Sequence, residues 1–252
     1  MSATTLTAMG MSYGIYHDIN KSVNLHNPFS YVYWSNPDRD HKVNQVLARY
    51  PQNRLLHAVD ISFISAHGRV PGANAQFALI SESNYNEIAQ IKGWDKVNIS
   101  KPGDAAIIHS DYDFKGQFLH KKVSLRFEDK SRQEFNVTAR REYKLTNNTN
   151  TWTTLVLKDE AYDRLAKVQK PNLLRALVVD NQKDCKALNT ELGQILPQYG
   201  WNSYYSEYIR NMEERGILMF VGGFLGLVIL FATGSIIYFR QLNDAQKEAI
   251  NY

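Results

Sequence analysis

The sequence predicts an α+β domain with a mixed sheet, bounded by helical stalks at both ends and followed by one transmembrane α-helix. Three observations predict it. Residues 216–239 read GILMFVGGFLGLVILFATGSIIYF, without a single charge. Upstream, short apolar runs with a period of two alternate with runs of helical period, the signature of strands interleaved with helices. At both ends of that region lie helix-like segments rich in Tyr and Met.

The apolar run fixes the rest. About 20 apolar residues cross a bilayer's hydrocarbon, and a helix of this run reaches about 36 Å. Arg215 and Arg240 fence it, and Tyr238 sits at one edge, where an amphipathic ring prefers the interface. Gly222 and Gly226 are four residues apart, and Gly234 with Ser235 lies further on. Small residues at that spacing let a second helix approach closely. Gly222, Gly226 and Gly234 are therefore the helix-packing candidates.

The remaining elements follow in order. Residues 1–20 carry Leu6, Met9, Tyr13 and Tyr16 at helical spacing and read as the end of a helix leaving a membrane. Phe29–Trp34 is an aromatic strand pattern that Asn36-Pro37-Asp38 breaks. Val43, Val46, Leu47 and Tyr50 share a helix face that Pro51 ends. Leu55–Ala66 alternates as a long strand, and Phe77–Ile80 is a short buried one. Ser83 is expected to cap the next helix, with Tyr85, Ile88 and Ala89 inward, and Gly93 to close it. Residues 105–109 form a strand. Val123–Phe127 and Glu134–Leu145 alternate around a turn as an antiparallel hairpin.

Asn147-Asn-Thr-Asn150 is the most loop-like tract. Three Asn-x-Ser/Thr triplets, at Asn98, Asn136 and Asn147, carry no weight at their chance frequency. Trp152–Leu157 is a strand, and Asp159–Gln169 an amphipathic helix with Tyr162, Leu165 and Ala166 inward. Leu173–Val179 is an apolar strand. Cys185, Leu188, Leu192 and Ile195 mark a helix face that Pro197 ends. Gly200-Trp201 reads as a joint, and Tyr204–Arg215 as a helix running into the span. One internal echo stands out. Leu79-Ile80, Glu82, Tyr85 and Ile88-Ala89 recur as Val156-Leu157, Asp159, Tyr162 and Leu165-Ala166, either a two-fold repeat of a strand–helix unit or one local solution used twice. The domains expected are thus 1–20, a helix end; 21–203, the α+β domain; 204–215, a stalk; 216–239, the span; and 240–252, the start of a segment beyond it.

Composition limits function. A net charge of +4 over 252 residues does not argue for nucleic acid. One cysteine, Cys185, excludes an intrachain disulfide. Neither GxxxxGK[ST] nor a GxGxxG after a strand is present, so no ATP hydrolysis is expected from this chain. HExxH and CxxC are absent. His57 and Asp60 alternate to opposite faces, and with His67 they make a poor metal set, so neither metal nor cofactor is expected. His109, Ser110 and Asp111 match triad chemistry by residue type alone.

Two surfaces are candidates for contacts with a ligand or lipid. Residues 115–144 hold Lys115, Lys121, Lys122, Arg126, Lys130, Arg132, Arg140, Arg141 and Lys144 against fewer acids. Just before the span lie Tyr199, Trp201, Tyr204, Tyr205 and Tyr208, placed for an interfacial belt or a cleft wall.

The opening Ser2-Ala-Thr-Thr5 and Tyr13-Gly14-Ile15-Tyr16 belong to a pattern. So do Phe224-Leu-Gly226, Leu230-Phe-Ala-Thr-Gly-Ser235 and Tyr238-Phe-Arg-Gln-Leu242 at the end, with Ala245, Glu248 and Tyr252 in the tail. Together they resemble the middle of a bacitracin-resistance-type permease, a branch of the FtsX-like ABC transporter permeases. Residues 25–200 resemble that family by size and placement. The resemblance implies a multi-pass protein of the cell membrane in which residues 21–215 are extracellular, and of which this chain is a fragment. It implies an ABC ATPase subunit, a sensor histidine kinase and the remaining transmembrane helices as partners. It also implies membrane lipid, with a peptide antibiotic or a lipid-linked cell-wall precursor as ligand. The alternative from the residues alone is a single-span scaffold or adaptor whose domain binds partner proteins. An ectoenzyme would need a cluster of acid, base and nucleophile that the sequence does not present.

Overall fold

The computed structural model describes residues 14, 17–70, 73–108, 118–147, 153–197 and 200–250. They hold nine strands and six helices, an α+β architecture with a mixed sheet, as the sequence predicts. Two compact units separate: Ser22–Tyr208, and Met1–Lys21 with Ile209–Tyr252.

The first unit is built on a closed ring of strands. The strands are β1 (Tyr31–Trp34), β2 (Leu55–Val70), β3 (Ala73–Ser81), β4 (Asp104–Ile108), β5 (Lys122–Arg126), β6 (Arg132–Arg141), β7 (Thr153–Leu157), β8 (Asn172–Val179) and β9 (Trp201–Ser203). Their order is β3-β7-β4-β6-β5-β2-β8-β1-β9, and β3 also pairs with β2. Six strands therefore close into a barrel, and β8, β1 and β9 extend as a sheet from β2. All six send apolar side chains into one core: Ile64 and Ala66, Phe77 and Leu79, Ala105 and Ile107, Val123 and Leu125, Phe135 and Val137, Leu155 and Leu157. A barrel this small is filled by its own side chains. Gly68 of β2 marks a point of close approach. A Cβ there would lie 2.7 Å from Phe77 Cε2 and 2.9 Å from Leu125 Cδ2.

Helices cover this frame on several sides. Helix α1 spans residues 17–26. Helices α2 (Pro37–Leu47) and α5 (Lys186–Ile195) pack Val43, Val46, Leu188 and Leu192 on Tyr31, Tyr33, Leu177 and Val179. Helix α3 (Glu82–Lys92) packs Tyr85, Ile88 and Ala89 on the barrel's outer face, against Ile61, Ile80 and Val156. Helix α4 (Asp159–Ala166) instead sends Ala161, Tyr162 and Leu165 into the barrel core.

The internal echo explains that split. Strands β3 and β7 pair in parallel, and each runs straight into its helix. In the ladder Ile80 faces Val156, whereas the echo equates Ile80 with Leu157. That offset of one residue turns matching side chains to opposite faces, so Ile80 lies outside the barrel with α3 and Leu157 inside with α4.

Local expectations shift at several points. Ser81, not Ser83, caps α3, its side chain accepting from Asn84 N. Ser83 instead donates its backbone N–H to Asp159 Oδ1 at 2.9 Å, stitching the two helix starts together. Gly93 closes α3 at φ 66° as expected. Strand β2 continues past Ala66 to Val70, because the barrel supplies pairing partners there. Helix α4 stops at Ala166, three residues short of the expected Gln169. Trp201 begins an edge strand on β1 rather than a joint.

In the second unit, helix α6 (Tyr204–Ile250) runs unbroken through the apolar run, and its first residues belong to the α+β unit. It is long and apolar enough to cross a membrane, and that stretch is unburied. Asp18 and Arg215 of this unit form an ion pair. Lys115, Trp152, Tyr199, the His109–Asp111 triplet and residues 1–13 lie outside the described residues.

Candidate functional site

One concave site of the α+β unit lies where β2 changes partners. Strand β8 pairs with Leu55–Phe63 of β2, and on the same side β5 pairs only with His67 and Gly68. Between them the sheet forks. Gln169 Nε2 donates to Ser65 O at 3.0 Å and satisfies a carbonyl the fork leaves without a strand partner. A cleft of about 750 Å³ opens near the fork, lined among others by Trp34, Asp40, Asp60, Glu128, Lys170 and Leu173.

The sheet register sets a polar row beside the cleft, of which Asp60 lines it. Tyr33, Arg175 and Asp60 face one another directly across β1, β8 and β2. Arg175 Nη1 lies 3.2 Å from Asp40 Oδ2 on α2, and its Nε 3.7 Å from Asp60 Oδ1. Ser35 Oγ donates to Asp40 Oδ2 at 2.7 Å. Asp40 is mostly buried, whereas the Asp60 side chain is 53% exposed. The Asp40 pair is thus a desolvated one, and the Asp60 contact is open to solvent. Burial first, and then the Asp40 carboxylate, hold the Tyr33 hydroxyl above its ordinary pKa. The cleft thus offers carboxylates, the Lys170 ammonium and an indole to a ligand.

The candidate residues of the basic hairpin fall into separate environments. Lys121, Lys122 and Arg126 are exposed on β5 or just before it. Lys122 reaches Glu134 at 3.9 Å. Arg140 pairs with Glu142 at 3.3 Å, its side chain 16% exposed. Arg141 donates to the carbonyls of Arg140 and Lys96 at 2.9 and 3.1 Å. Arg126 stands directly opposite Arg132 on one side and His67 on the other. That row was not visible in the sequence, because His67 comes from a strand some sixty residues away.

The aromatics before the span sit in packing positions. Tyr204 is fully buried, and Tyr205 packs half-buried against the core under α2 and α5. Trp201 stacks on Tyr31, ring centroids 6.4 Å apart. Gly222, Gly226 and Gly234 have open space where a side chain would be. Cys185 is buried, accepts from Tyr31 OH at 3.2 Å, and has its thiol pKa pushed up by burial. Among the described residues no three His, Cys, Asp or Glu side chains gather to hold a metal.

No protein-family model and no curated protein matches the sequence. Solved structures show a distant likeness. A lipoprotein structure from Bacillus anthracis, described as putative in its name, covers 68% of this chain and 95% of its own, at 8% identity and TM-score 0.41. The extracellular domain of the noncanonic ABC-type transporter YknZ from Gram-positive bacteria covers 69% and 97%, at 12% identity and TM-score 0.31. The periplasmic region of MacB from Actinobacillus actinomycetemcomitans covers 73% and 91%, at 12% identity and TM-score 0.30. Likeness at this level assigns neither the fold nor the function.

Proposed function

We propose that this chain is part of the permease subunit of an ABC transporter, with the barrel unit outside the cell. The single observation that carries the reading is α6. An uncharged run of transmembrane length carries Gly222 and Gly226 at a spacing of four, with Gly234 and Ser235 further along. A helix that only anchored a domain has no use for such a face, whereas one packed among other transmembrane helices does. The motifs of the span, Leu230–Ser235 and Tyr238–Leu242, support the bacitracin-resistance type.

In this reading the unit senses a peptide antibiotic or a peptide–lipid complex, and the cleft at the sheet fork is where ligand enters. ATP is hydrolysed on a separate ATPase subunit, and a sensor histidine kinase reads the state of the permease. Purification of the chain from its native membranes tests this. An ATPase should co-purify, and bacitracin should alter its rate of hydrolysis. Purification without an ATPase contradicts the reading and favours a single-span adaptor.

A further inference from the structure

The outer face of the barrel carries a feature the cleft does not use. His67, Arg126 and Arg132 are direct cross-strand neighbours on β2, β5 and β6. All three are exposed, and all three point away from the barrel, because Ala66, Leu125 and Phe135 take the inward positions. Residues directly opposite on adjacent strands have Cβ atoms about 5 Å apart, and like charges there destabilise the sheet. None of the three has an ion-pair partner among the described residues.

Among the described residues, the acids nearby are engaged or turned elsewhere. Glu134 faces Ser124 and reaches Lys122, Asp129 accepts from Ser131 N at 2.9 Å, and Glu128 lines the cleft. Gln76 of β3 completes the row beyond His67 and is neutral. Lys122 extends the positive face along β5. It lies four residues from Arg126, or about 13 Å in a strand, and Lys121 precedes it.

Two opposed guanidiniums form planar forks that suit phosphate oxygens. A compact anion would satisfy the row but not the lysines 13 Å away on the scale of a strand. We propose that this face binds a linear polyanion of phosphate units, its chain crossing from the His67–Arg126–Arg132 row toward Lys121 and Lys122. The site is separate from the cleft and does not depend on the transporter reading.

Binding of long-chain inorganic polyphosphate to the full chain in neutral detergent tests it. Affinity should fall steeply with added salt, as counterion release requires. R126Q/R132Q should weaken it roughly tenfold or more, since both charge-assisted contacts go. K42Q/K101Q removes the same charge from exposed positions elsewhere and should weaken it less than about threefold. H67R should tighten binding. R126Q/R132Q should melt no lower than the unaltered protein, which separates lost binding from lost folding. Equal losses in the two double variants would reduce the row to diffuse charge. Orthophosphate binding as tightly as the polymer would make it a compact-anion site. Binding to phosphatidylglycerol bicelles without binding to polyphosphate would reassign it to a bilayer surface. Each of these results, like failure to bind polyphosphate at low salt, overturns the proposal.

Discussion

Asn147 clasps Phe29 across 118 residues of chain. Phe29 N donates to Asn147 Oδ1 at 2.9 Å, and Asn147 Nδ2 donates to Phe29 O at 2.7 Å, with both residues buried. One side chain thus replaces a strand partner just before β1. Lys92 joins the same junction, donating to the Pro28 carbonyl and lying 5.4 Å over the Phe29 ring. Replacing Asn147 with Ala leaves two buried backbone groups unpaired. It should cost about 2–6 kcal/mol, at 1–3 kcal/mol per group, measured by urea unfolding. The same burial predicts that Asn147 is not glycosylated in the folded protein, whatever its triplet.

Gly68 sets the closure of the barrel. Phe77 and Leu125, which a new Cβ would strike, are themselves fully buried and cannot move aside freely. Gly68→Val should destabilise the unit by about 1–3 kcal/mol, the usual cost of overpacking a core. Thermal unfolding checks it. Gly103, which has open space at its Cβ position, should tolerate Ala with a far smaller shift.

Arg175 distinguishes a buried pair from an exposed one. Arg175→Met strands the mostly buried Asp40 carboxylate without its cation and should cost about 2–4 kcal/mol. Asp60→Asn removes only the solvent-open contact at 3.7 Å and should cost less than about 1 kcal/mol. Equal costs in denaturant titrations would show that the wall of the cleft is not organised around Asp40.

Alkaline pH should weaken the fold through its tyrosines. The Tyr85 hydroxyl donates to Asp95 O at 3.1 Å, and burial pushes its pKa up to about 12. An unfolded tyrosine ionises near pH 10, so above that pH the unfolded state binds fewer protons than the folded one. Stability is therefore fully present below about pH 10 and falls as pH rises through the folded value. Burial raises Tyr31 and Tyr33 in the same sense. Tyr85→Phe should lose about 1 kcal/mol at neutral pH with its hydrogen bond and show a shallower decline in melting temperature between pH 10 and 12.

The parts of this fold that depend on neighbours in sequence were legible there. The alternation of Val123–Phe127, the face Val43–Val46–Leu47, the C-terminal glycine at Gly93 and the uncharged run at 216–239 each declare a local periodicity. Contacts between distant segments were not. Asn147 looks like loop chemistry because its partner is Phe29, and nothing near either residue announces the other. Barrel closure depends on β3 pairing with β2 and β7 at once, which alternation within one strand cannot encode. The echo of β3–α3 in β7–α4 was readable, but the one-residue ladder offset that sends the helices to opposite faces was not. The cleft escaped notice for the same reason: Trp34, Asp60, Glu128 and Lys170 meet only because β2 exchanges β8 for β5.

In the proposed reading the barrel unit is extracellular and α6 spans the membrane. Labelling of a cysteine at Ser124, exposed on the outer face of β5, tests it most directly, since native Cys185 is buried and its thiol pKa is raised. A membrane-impermeant maleimide added to intact cells should modify Ser124→Cys as fast as it does after lysis. Modification only after the cells are broken would place the unit in the cytosol and contradict the account.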